Sequence, residues 1–561
     1  MFAKAANIAA LSALVEVAAA DGARLIVTPE MGTTGYCWFG RAEVSSEVET
    51  VPGPTTDHFS ALAARLDVHI VVGLPEVEPE TGLYFNTAVL IGPGGVIGKH
   101  RKTHVYISEP KWAAPGDLDH QVFDTPLGKI ALLICMDIHF IETARIVALR
   151  GADIICHISN WLAERTPAPY WISRAFENGC YLIEANRWGL ERTVQFSGGS
   201  CIITPSGEIA ASIDRGDGVA GAMIDLAVAR QARERALSGR RPEMLHGLLS
   251  NTFLWNPLDF FGLYGHEPLP PGRASRIAVA QFLPVADTQA NLRKIEIFAA
   301  QAAADAVDLL VLPELSLTGP YRAGAAELLS GSSTKWLMAL ASRHRLHIVA
   351  GMAEAAGDHC YNTAILAGPQ GLIGSYRKIH LTEADRLWAS PGDAWGVFDS
   401  PAGRIGLLIG QDAVHPESAR ILALRGCDII ACPSAIPGVF TGAHEGSVAP
   451  QNFPIPTGAD GNHWHHFRCR GGENNVYFAF SNWLAPDQHY LGKSGVFGPE
   501  TFAFPRMESA IPDSEGLAAL DISTANLASA YPTNVVRRKD MVSMRLAHQY
   551  RDLIVQGINE P

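Results

Sequence analysis

The sequence lacks three features that would place it in a specialised class of protein. It has no apolar run of the ~18 residues that a membrane span requires. It has no excess of basic residues, and its net charge of -13 argues against nucleic acid or an anionic membrane as a partner. Its nine cysteines are scattered and odd in number, unlike the disulfide framework of a small secreted protein. We therefore expect a cytoplasmic protein that binds neither nucleic acid nor membrane.

The size and composition indicate a globular protein of more than one domain. The chain has 561 residues, of which 47% are hydrophobic and 18% charged, an ordinary balance for folded domains. Residues 1–22 look like a signal peptide, with a lysine followed by apolar and small residues. However, 6–30 align without gaps with 290–314 in the chain interior. We expect an amphipathic helix that leads into a strand, not a targeting segment.

The chain contains an internal duplication. The stretch "LLICMDIHFIE" (132–142) returns as "LLIGQDAVHPE" (407–417), and "GKHRKTHVY" returns as "GSYRKIHLT". A repeat of this length is a duplicated domain, not a solenoid unit. The proline-rich stretch between the copies suggests a linker. The sequence therefore predicts domains at 1–265 and 276–561, called here the first and second halves, with a linker at 266–275.

Each half alternates short β-rich runs such as "HIVVGLPE" and "KIALLIC" with helical stretches. This pattern predicts an α/β fold whose apolar strands are buried between layers. The second half opens with a strand, "RIAVAQF" (276–282), that has no counterpart in the first half. Either the true start of the protein lies upstream, or the first half lacks this strand.

An insertion at about 435–463 distinguishes the second half and ends near "HWHHFRC". It is rich in glycine, proline and alanine, which predicts a long loop. The side chains of His463, His465, His466 and Cys469 are all possible metal ligands. Their spacing matches no zinc pattern, so we expect a solvated loop and no metal.

Three residues are candidates for catalysis, although each alone has a structural explanation. Cys135 ends an apolar strand and precedes a turn into a helix, a position that presents a nucleophile to a cleft. A thiol needs a nearby base or cation to react. Glu30 and Lys102 could supply these groups. Taken singly, they could equally be a buried structural cysteine, a strand cap and a solvated basic residue.

Together, "LIVTPEMGTTGY", "GKHRKTH" and "LLICMD" resemble the nitrilase superfamily of carbon–nitrogen hydrolases, in order and in approximate spacing. The resemblance covers nearly the whole chain, twice. It implies two tandem α-β-β-α four-layer sandwiches, without a cofactor or metal. It also implies Glu30 as general base, Lys102 as oxyanion stabiliser, Cys135 as nucleophile and Glu109 as the family's second glutamate, ahead of a Pro-Gly-Asp.

The residues after the nucleophile bear on the substrate. True nitrilases of this superfamily read Cys-Trp-Glu, whereas this chain reads Cys135-Met136-Asp137, which favours a small amide or carbamoyl compound. N-carbamoyl-D-amino-acid hydrolases place arginines where this chain has Ile138 and His139, so a carboxylate clamp of that kind is not expected. The resemblance suggests that four residues contact the substrate: Met136, His139, Asn160 and Trp161.

The second half keeps the frame without the nucleophile. It retains Glu314 and Lys378, but Gly410 replaces the cysteine and Asp385 replaces the second glutamate. Proteins of this superfamily commonly pair two sandwiches face to face. The resemblance therefore implies that the second half is a partner within the chain, an intramolecular pseudo-dimer that could assemble further into homo-oligomers.

Three alternatives remain open from the sequence. The first half could be a nitrilase proper, or it could be a glutaminase-type ammonia donor, which would normally be fused to a synthetase domain. The third alternative belongs to a different class: a non-catalytic binding or scaffold protein in which Cys135 is a relic.

Overall fold

The structure is a computed structural model that describes residues 1–162, 166–251, 269–438, 466–499, 507–511, 513–527 and 535–555. The first part of the expected linker and most of the insertion at 435–463, including His463, lie outside these ranges.

The described part of the first half contains two main sheets, one β-hairpin and six α-helices. The strands are β1 (Leu25–Val27), β2 (His69–Val77), β3 (Tyr84–Gly92), β4 (Gly95–Arg101), β5 (Val122–Thr125), β6 (Gly128–Ile134), β7 (Ile154–Ser159), β8 (Tyr181–Asn186), β9 (Trp188–Glu191), β10 (Val194–Ser197), β11 (Ser200–Ile203) and β12 (Ile209–Ile213). The helices are α1 (Lys4–Ala20), α2 (Arg41–Val44), α3 (Pro54–Leu66), α4 (Ile141–Leu149), α5 (Pro169–Asn178) and α6 (Leu226–Ser238).

These elements form four layers. The first sheet has the order β1-β2-β3-β4 and the second has the order β12-β11-β8-β7-β6-β5. Helices α1 and α3 cover the outer face of the first sheet, and α4 and α5 cover the outer face of the second, while β3 and β6 meet between the sheets. Strand β6 is apolar from Ile130 to Ile134 and β7 from Ile154 to Cys156, because both faces of these strands are buried.

The second half repeats this arrangement. Its strands are β13 (Ala274–Gln281), β14 (Leu309–Val311), β15 (His347–Ala356), β16 (His359–Gly368), β17 (Gly371–Arg377), β18 (Gly396–Ser400), β19 (Gly403–Leu407), β20 (Ile429–Pro433), β21 (Tyr477–Ser481), β22 (Leu484–Ala485), β23 (Tyr490–Leu491), β24 (Ser494–Phe497), β25 (Glu508–Ile511) and β26 (Gly516–Ser523). Its helices are α7 (Thr288–Ala304), α8 (Ser332–His344), α9 (Glu383–Arg386), α10 (Pro416–Leu424), α11 (His466–Asn474) and α12 (Asp540–Ser543). The expected fold, two tandem α-β-β-α sandwiches, is confirmed.

The two halves differ at one sheet edge. In the second half, β13 and β26 extend the first sheet beyond β14. In the described residues of the first half, the equivalent sheet ends at β1. The strand predicted at 276–282 therefore exists in the second half as β13, without a counterpart in the described first half.

The halves pack against each other through the helices that cover their second sheets. Helix α5 contacts α11, and α10 contacts the 3-10 turn His246–Leu249 of the first half. One apolar core continues across this junction, and it includes Trp171 on α5 and Phe467 on α11. No helix in the described ranges has both the length and the apolar character to cross a membrane.

Candidate active site

Two carboxylates and one amine meet in the first half. Glu30 follows β1, Lys102 follows β4, and Glu109 begins the short 3-10 turn Glu109–Lys111. The Lys102 Nζ atom lies 2.8 Å from Glu30 Oε1 and 2.7 Å from Glu109 Oε2. All three residues are at most 1% exposed. A buried amine between two carboxylates is held at a fixed position by charge-assisted hydrogen bonds.

Asn86 on β3 holds the two carboxylates together. Its Nδ2 atom donates to Glu30 Oε1 at 2.7 Å and to Glu109 Oε1 at 2.6 Å. The side chains of Glu30 and Glu109 are therefore oriented from both sides, by Lys102 and by Asn86. A buried polar group of this kind is rigid only when its partners are supplied.

Cys135 lies on a sharp turn between β6 and α4. It opens the 3-10 turn Cys135–His139 with a φ of 45°, a left-handed conformation that is uncommon for a residue with a side chain. Asp137 stabilises the turn, because its carboxylate accepts hydrogen bonds from the backbone N–H groups of Ile134 and His104 at 3.1 and 2.9 Å. Strain that the surroundings enforce in this way is typical of functional sites.

A buried histidine–glutamate pair lies under this turn. His157 Nε2 is 3.1 Å from the Cys135 carbonyl oxygen, and His157 Nδ1 pairs with Glu184. Burial lowers the pKa of His157, but the adjacent Glu184 carboxylate outweighs it and the net pKa is raised. A histidine with a proton on both nitrogens can donate to Glu184 and to the Cys135 carbonyl at the same time.

The electrostatics of the three candidate catalytic groups are coupled. Burial raises the pKa of the Cys135 thiol well above its usual value, Glu30 raises it further and Lys102 opposes the shift. Burial also raises the pKa of Glu30, against the effect of Lys102. For Lys102, burial lowers the pKa, but Cys135, Glu109 and Glu30 together raise it well above its usual range. The resting site therefore holds a neutral thiol beside a charged lysine and a basic carboxylate.

Asn160 contacts Glu30 and Cys135. Its Nδ2 atom donates to the Glu30 backbone carbonyl at 2.9 Å and to Glu30 Oε2 at 3.0 Å. Its backbone N–H lies near enough to the Cys135 sulfur to lower the pKa of that thiol, against the larger effect of burial. The structure thus places Asn160 between the candidate base and nucleophile, whereas the sequence suggested only a substrate contact.

The other three predicted substrate contacts lie close to the turn but are well buried. His139 stacks on Trp161, with ring centroids 4.7 Å apart and planes 6° apart, and both residues are 3% exposed. Burial, with the charge of Arg174, lowers the pKa of His139 well below its usual value, so its ring is neutral. Met136 packs with Phe140. These contacts show packing beside Cys135, and a substrate role for the three residues stays a prediction.

Sequence reasoning missed two residues of the site. Asn86 carried a signal, because "NTA" occurs in both halves as Asn86 and Asn362. Tyr36 ends the quoted "LIVTPEMGTTGY" and lies with its ring centroid 5.7 Å from Lys102 Nζ. Burial and the charges of Glu109, Glu30 and Cys135 raise its pKa well above the usual value. Neither role could be read from spacing alone.

The second half reproduces the same cluster around a glycine. The Lys378 Nζ atom lies 2.7 Å from Glu314 Oε1 and 2.8 Å from Asp385 Oδ2, and Asn362 Nδ2 donates to Glu314 Oε1 at 2.6 Å. Gly410 has a φ of 43°, close to the 45° of Cys135. The backbone of the turn is therefore preserved without its side chain.

The described residues include no group of three histidine, cysteine, aspartate or glutamate residues placed to hold a metal ion. His463 and His465 lie outside the described ranges. His466 and Cys469 lie on α11, where His466 Nε2 is 2.7 Å from Arg470 Nη2 and Cys469 Sγ is 3.2 Å from Ser173 Oγ in the first half. These two side chains take part in the packing between the halves.

Comparisons with known proteins agree on one family. The family described as Carbon-nitrogen hydrolase matches residues 1–234 and again 276–521. A nitrilase of Pyrococcus abyssi (strain GE5 / Orsay) is 38% identical over 222 residues, which cover 39% of this chain and 84% of that protein. Omega-amidase NIT2-A of Xenopus laevis is 30% identical over 247 residues, which cover 41% of this chain and 87% of that protein.

Solved structures are similar over about one half of the chain. A carbon–nitrogen hydrolase from Helicobacter pylori G27 is 27% identical with a TM-score of 0.42, covering 45% of this chain and 94% of that one. An amidase from Nesterenkonia sp. is 22% identical with a TM-score of 0.39, covering 51% of this chain and 98% of that one.

Proposed function

Since this chain belongs to the carbon–nitrogen hydrolase family, we propose that its first half hydrolyses the C–N bond of a small amide or carbamoyl compound through a cysteine thioester. One observation carries the proposal: Cys135 lies on a strained turn where Glu30, Lys102 and Glu109 all act on its pKa. A thiol, a base and a cation in one buried place are the groups that nucleophilic acyl transfer requires.

The chemistry begins with proton transfer to Glu30. The raised pKa of Glu30 makes its carboxylate a stronger base, while Cys135 is protonated at rest. As the Cys135 sulfur bonds to the substrate carbonyl carbon, Glu30 takes the thiol proton. The carbonyl oxygen becomes an oxyanion, which the Lys102 ammonium and the Met136 backbone N–H stabilise. Glu109 keeps Lys102 charged and in place during this step.

Breakdown of the tetrahedral intermediate completes the cycle. The C–N bond breaks, and protonated Glu30 gives its proton to the leaving nitrogen, so that ammonia or an amine departs. Water then attacks the thioester carbon, and Glu30 accepts a proton from that water. The C–S bond breaks, a carboxylic acid is released, and the Cys135 thiol is restored.

An amide or carbamoyl substrate is favoured over a nitrile by the residues around the nucleophile. Met136 follows Cys135 in place of the tryptophan of true nitrilases. The neutral ring of His139 stands at a sequence position where N-carbamoyl-D-amino-acid hydrolases have an arginine, which argues against a substrate carboxylate held in that way. The names of the two relatives cited above cover both a nitrilase and an omega-amidase, so the distinction has to be tested directly.

The described cysteines are all free thiols, which supports a reducing compartment such as the cytoplasm.

The second half acts, in this proposal, as a structural partner within the chain. Arg174 on α5 donates to the backbone carbonyls of Ile138 and His139, at 2.9 and 3.2 Å, in the turn after the nucleophile. The same guanidinium donates to Glu473 of the second half at 2.6 Å. The second half therefore contributes to the position of the catalytic turn without any chemistry of its own. Assembly of the whole chain into larger homo-oligomers remains part of the proposal.

The test is a substrate panel with the full-length protein. Matched sets of a primary amide, the corresponding N-carbamoyl compound and the corresponding nitrile are compared by release of ammonia. We expect turnover of amides or carbamoyl compounds at least about tenfold above the matched nitriles. Preferred nitrile hydrolysis would contradict the substrate class. Absence of turnover throughout a broad panel would favour the non-catalytic scaffold.

A further inference from the structure

The degenerate site of the second half contains a buried carboxylate oxygen without a partner. Among the residues that the structure describes, none donates a hydrogen bond to the buried Glu314 Oε2 atom, and the whole residue is only 3% exposed. A buried acceptor left unpaired costs about 1–3 kcal/mol, and more when it is charged. Such an atom points to a missing donor.

Comparison with the first half shows how this oxygen lost its partner. There, Asn160 donates both to the Glu30 backbone carbonyl and to Glu30 Oε2. In the second half Ala435 follows Ser434 where Asn160 follows Ser159. The indole of Trp483 replaces one of the two bonds, because its Nε1 donates to the Glu314 backbone carbonyl at 2.6 Å. The second half therefore retains a hydrogen bond to the backbone carbonyl of this glutamate, but it has no counterpart of the hydrogen bond from Asn160 to the carboxylate.

The free oxygen faces the space of the missing nucleophile. A Cβ atom built on Gly410 would lie 2.6 Å from Glu314 Oε2 and 3.5 Å from Lys378 Nζ. Lys378 Nζ contacts Glu314 and Asp385, and an ammonium has three N–H donors, so one remains for a further acceptor. At the same place, therefore, the site offers one unpaired acceptor and one donor.

The surroundings of this place are aromatic, and two residues there are smaller than their counterparts in the first half. Pro320 and Thr382 occupy the positions of Tyr36 and Tyr106. Trp483 and Tyr490 pack with ring centroids 5.1 Å apart, and Tyr490 lies close enough for the Glu314 carboxylate to raise its pKa, after the larger effect of burial. Apolar walls around a few convergent polar groups are typical of small-molecule sites.

We infer that the second half is a binding site for small primary carboxamides that does not hydrolyse them. The ligand NH₂ group donates to Glu314 Oε2, and its carbonyl oxygen accepts from Lys378. This inference rests on the proposed function for its ligand class, because the same frame in the first half is assigned to amides. A carboxamide supplies both the donor and the acceptor, whereas a simple ammonium ion supplies only donors and would lie close to Lys378. A carboxylate supplies only acceptors.

The test uses the full-length chain with Cys135→Ala, which blocks turnover in the first half, and trifluoroacetamide as a probe followed by ¹⁹F NMR. Two equivalents of amide should bind. Adding Gly410→Ala places a methyl group against Glu314 Oε2, and adding Glu314→Gln alters the acceptor. Each double variant should weaken one of the two equivalents at least about tenfold, as expected for loss of a hydrogen bond to a charged group.

Two probes and one folding control make the result decisive. Trifluoroacetate, which lacks the N–H donors, and trifluoroethylammonium, which lacks the acceptor, should not occupy the second site. Gly410→Ala with Cys135 intact should retain wild-type turnover, although a side chain at a φ of 43° should lower the melting temperature. Retained turnover separates a blocked site from misfolding of the chain.

One equivalent of amide in all three chains would overturn the inference while leaving the proposed function standing. Binding of trifluoroethylammonium or trifluoroacetate at the second site as tightly as the amide would overturn the ligand class. Absence of amide binding in every chain would count against the proposed function as well.

Discussion

At the residue scale, the residues that support Cys135 can be compared with those beneath Gly410 in the second half. His157 and Glu184 are register partners on β7 and β8, and the equivalent partners on β20 and β21 are Cys432 and Phe480. The pair that holds the Cys135 carbonyl is thus replaced by apolar groups in the half that has Gly410. A glycine adopts a φ of 43° without strain, so that turn needs no such support.

His157 is therefore predicted to position Cys135. In His157→Phe, the hydrogen bond to the Cys135 carbonyl is lost, and kcat should fall at least about tenfold while KM changes little, because His157 is completely buried beneath the turn. His157→Gln keeps an N–H donor and should recover part of kcat. Steady-state kinetics on both variants check this. Equal loss in both, or a loss confined to KM, would contradict the positioning role.

Three candidate catalytic residues, Glu30, Lys102 and Cys135, could be singled out from sequence because each follows a strand within a motif. Glu109 could be singled out because it precedes a Pro-Gly-Asp. Glu30, Lys102, Glu109 and Cys135 were all expected, and the structure brings them together. Asn86 and Tyr36 were missed because their importance arises from contacts across strands distant in sequence. Asn160 was expected at the substrate, but its amide is used by Glu30, a contact that spans 130 residues and leaves no pattern in the sequence.

At the scale of elements, helices α5 and α11 join the halves through a ring of charges. Arg174 and Glu177 on α5 alternate with Arg470 and Glu473 on α11, with N–O distances of 2.5–2.7 Å. All four side chains are fully buried. Two further ion pairs between the halves link α4 and α10: Arg145 pairs with Glu417, and Arg420 pairs with Glu142. Each half thus supplies both signs of charge to the other.

Removing one member of the ring should destabilise the protein and slow catalysis. Glu473→Gln leaves the charges of Arg174 and Arg470 incompletely paired in a buried site, which should cost about 3–5 kcal/mol of unfolding free energy. It should also lower kcat, because Arg174 holds the turn that follows Cys135. Denaturant unfolding and kinetics on the folded fraction measure the two effects.

Glu354→Gln is the matched control for this variant. Glu354 is a buried glutamate of the second half that pairs with Arg377 at 2.6 Å, away from the first half. The control should lose stability and keep the wild-type kcat of the folded protein. A similar fall in kcat for both variants would show that Glu473 has no specific connection to the catalytic turn.

At the scale of the whole molecule, the chain is a duplicated fold in which the first half has Cys135 at the candidate nucleophile position and the second half has Gly410. The duplication could be predicted because motifs recur in the same order, and the layers follow from the apolar strands and amphipathic helices. The ring of four charges could not be predicted. The segments that carry its four residues, "SRAFENG" and "FRCRGGENN", have a composition typical of exposed helices. Only the packing of one half against the other buries them.

The central claim is that turnover depends on Cys135 and not on the second half's equivalent turn. The most direct measurement is hydrolysis of the best panel substrate by Cys135→Ala and Gly410→Ala in the full-length chain, with mass spectrometry of the wild-type protein during turnover. We predict no turnover above background in Cys135→Ala, wild-type kcat in Gly410→Ala, and one acyl group per chain on Cys135. Near-wild-type activity in Cys135→Ala, or an acyl group elsewhere, would contradict the account.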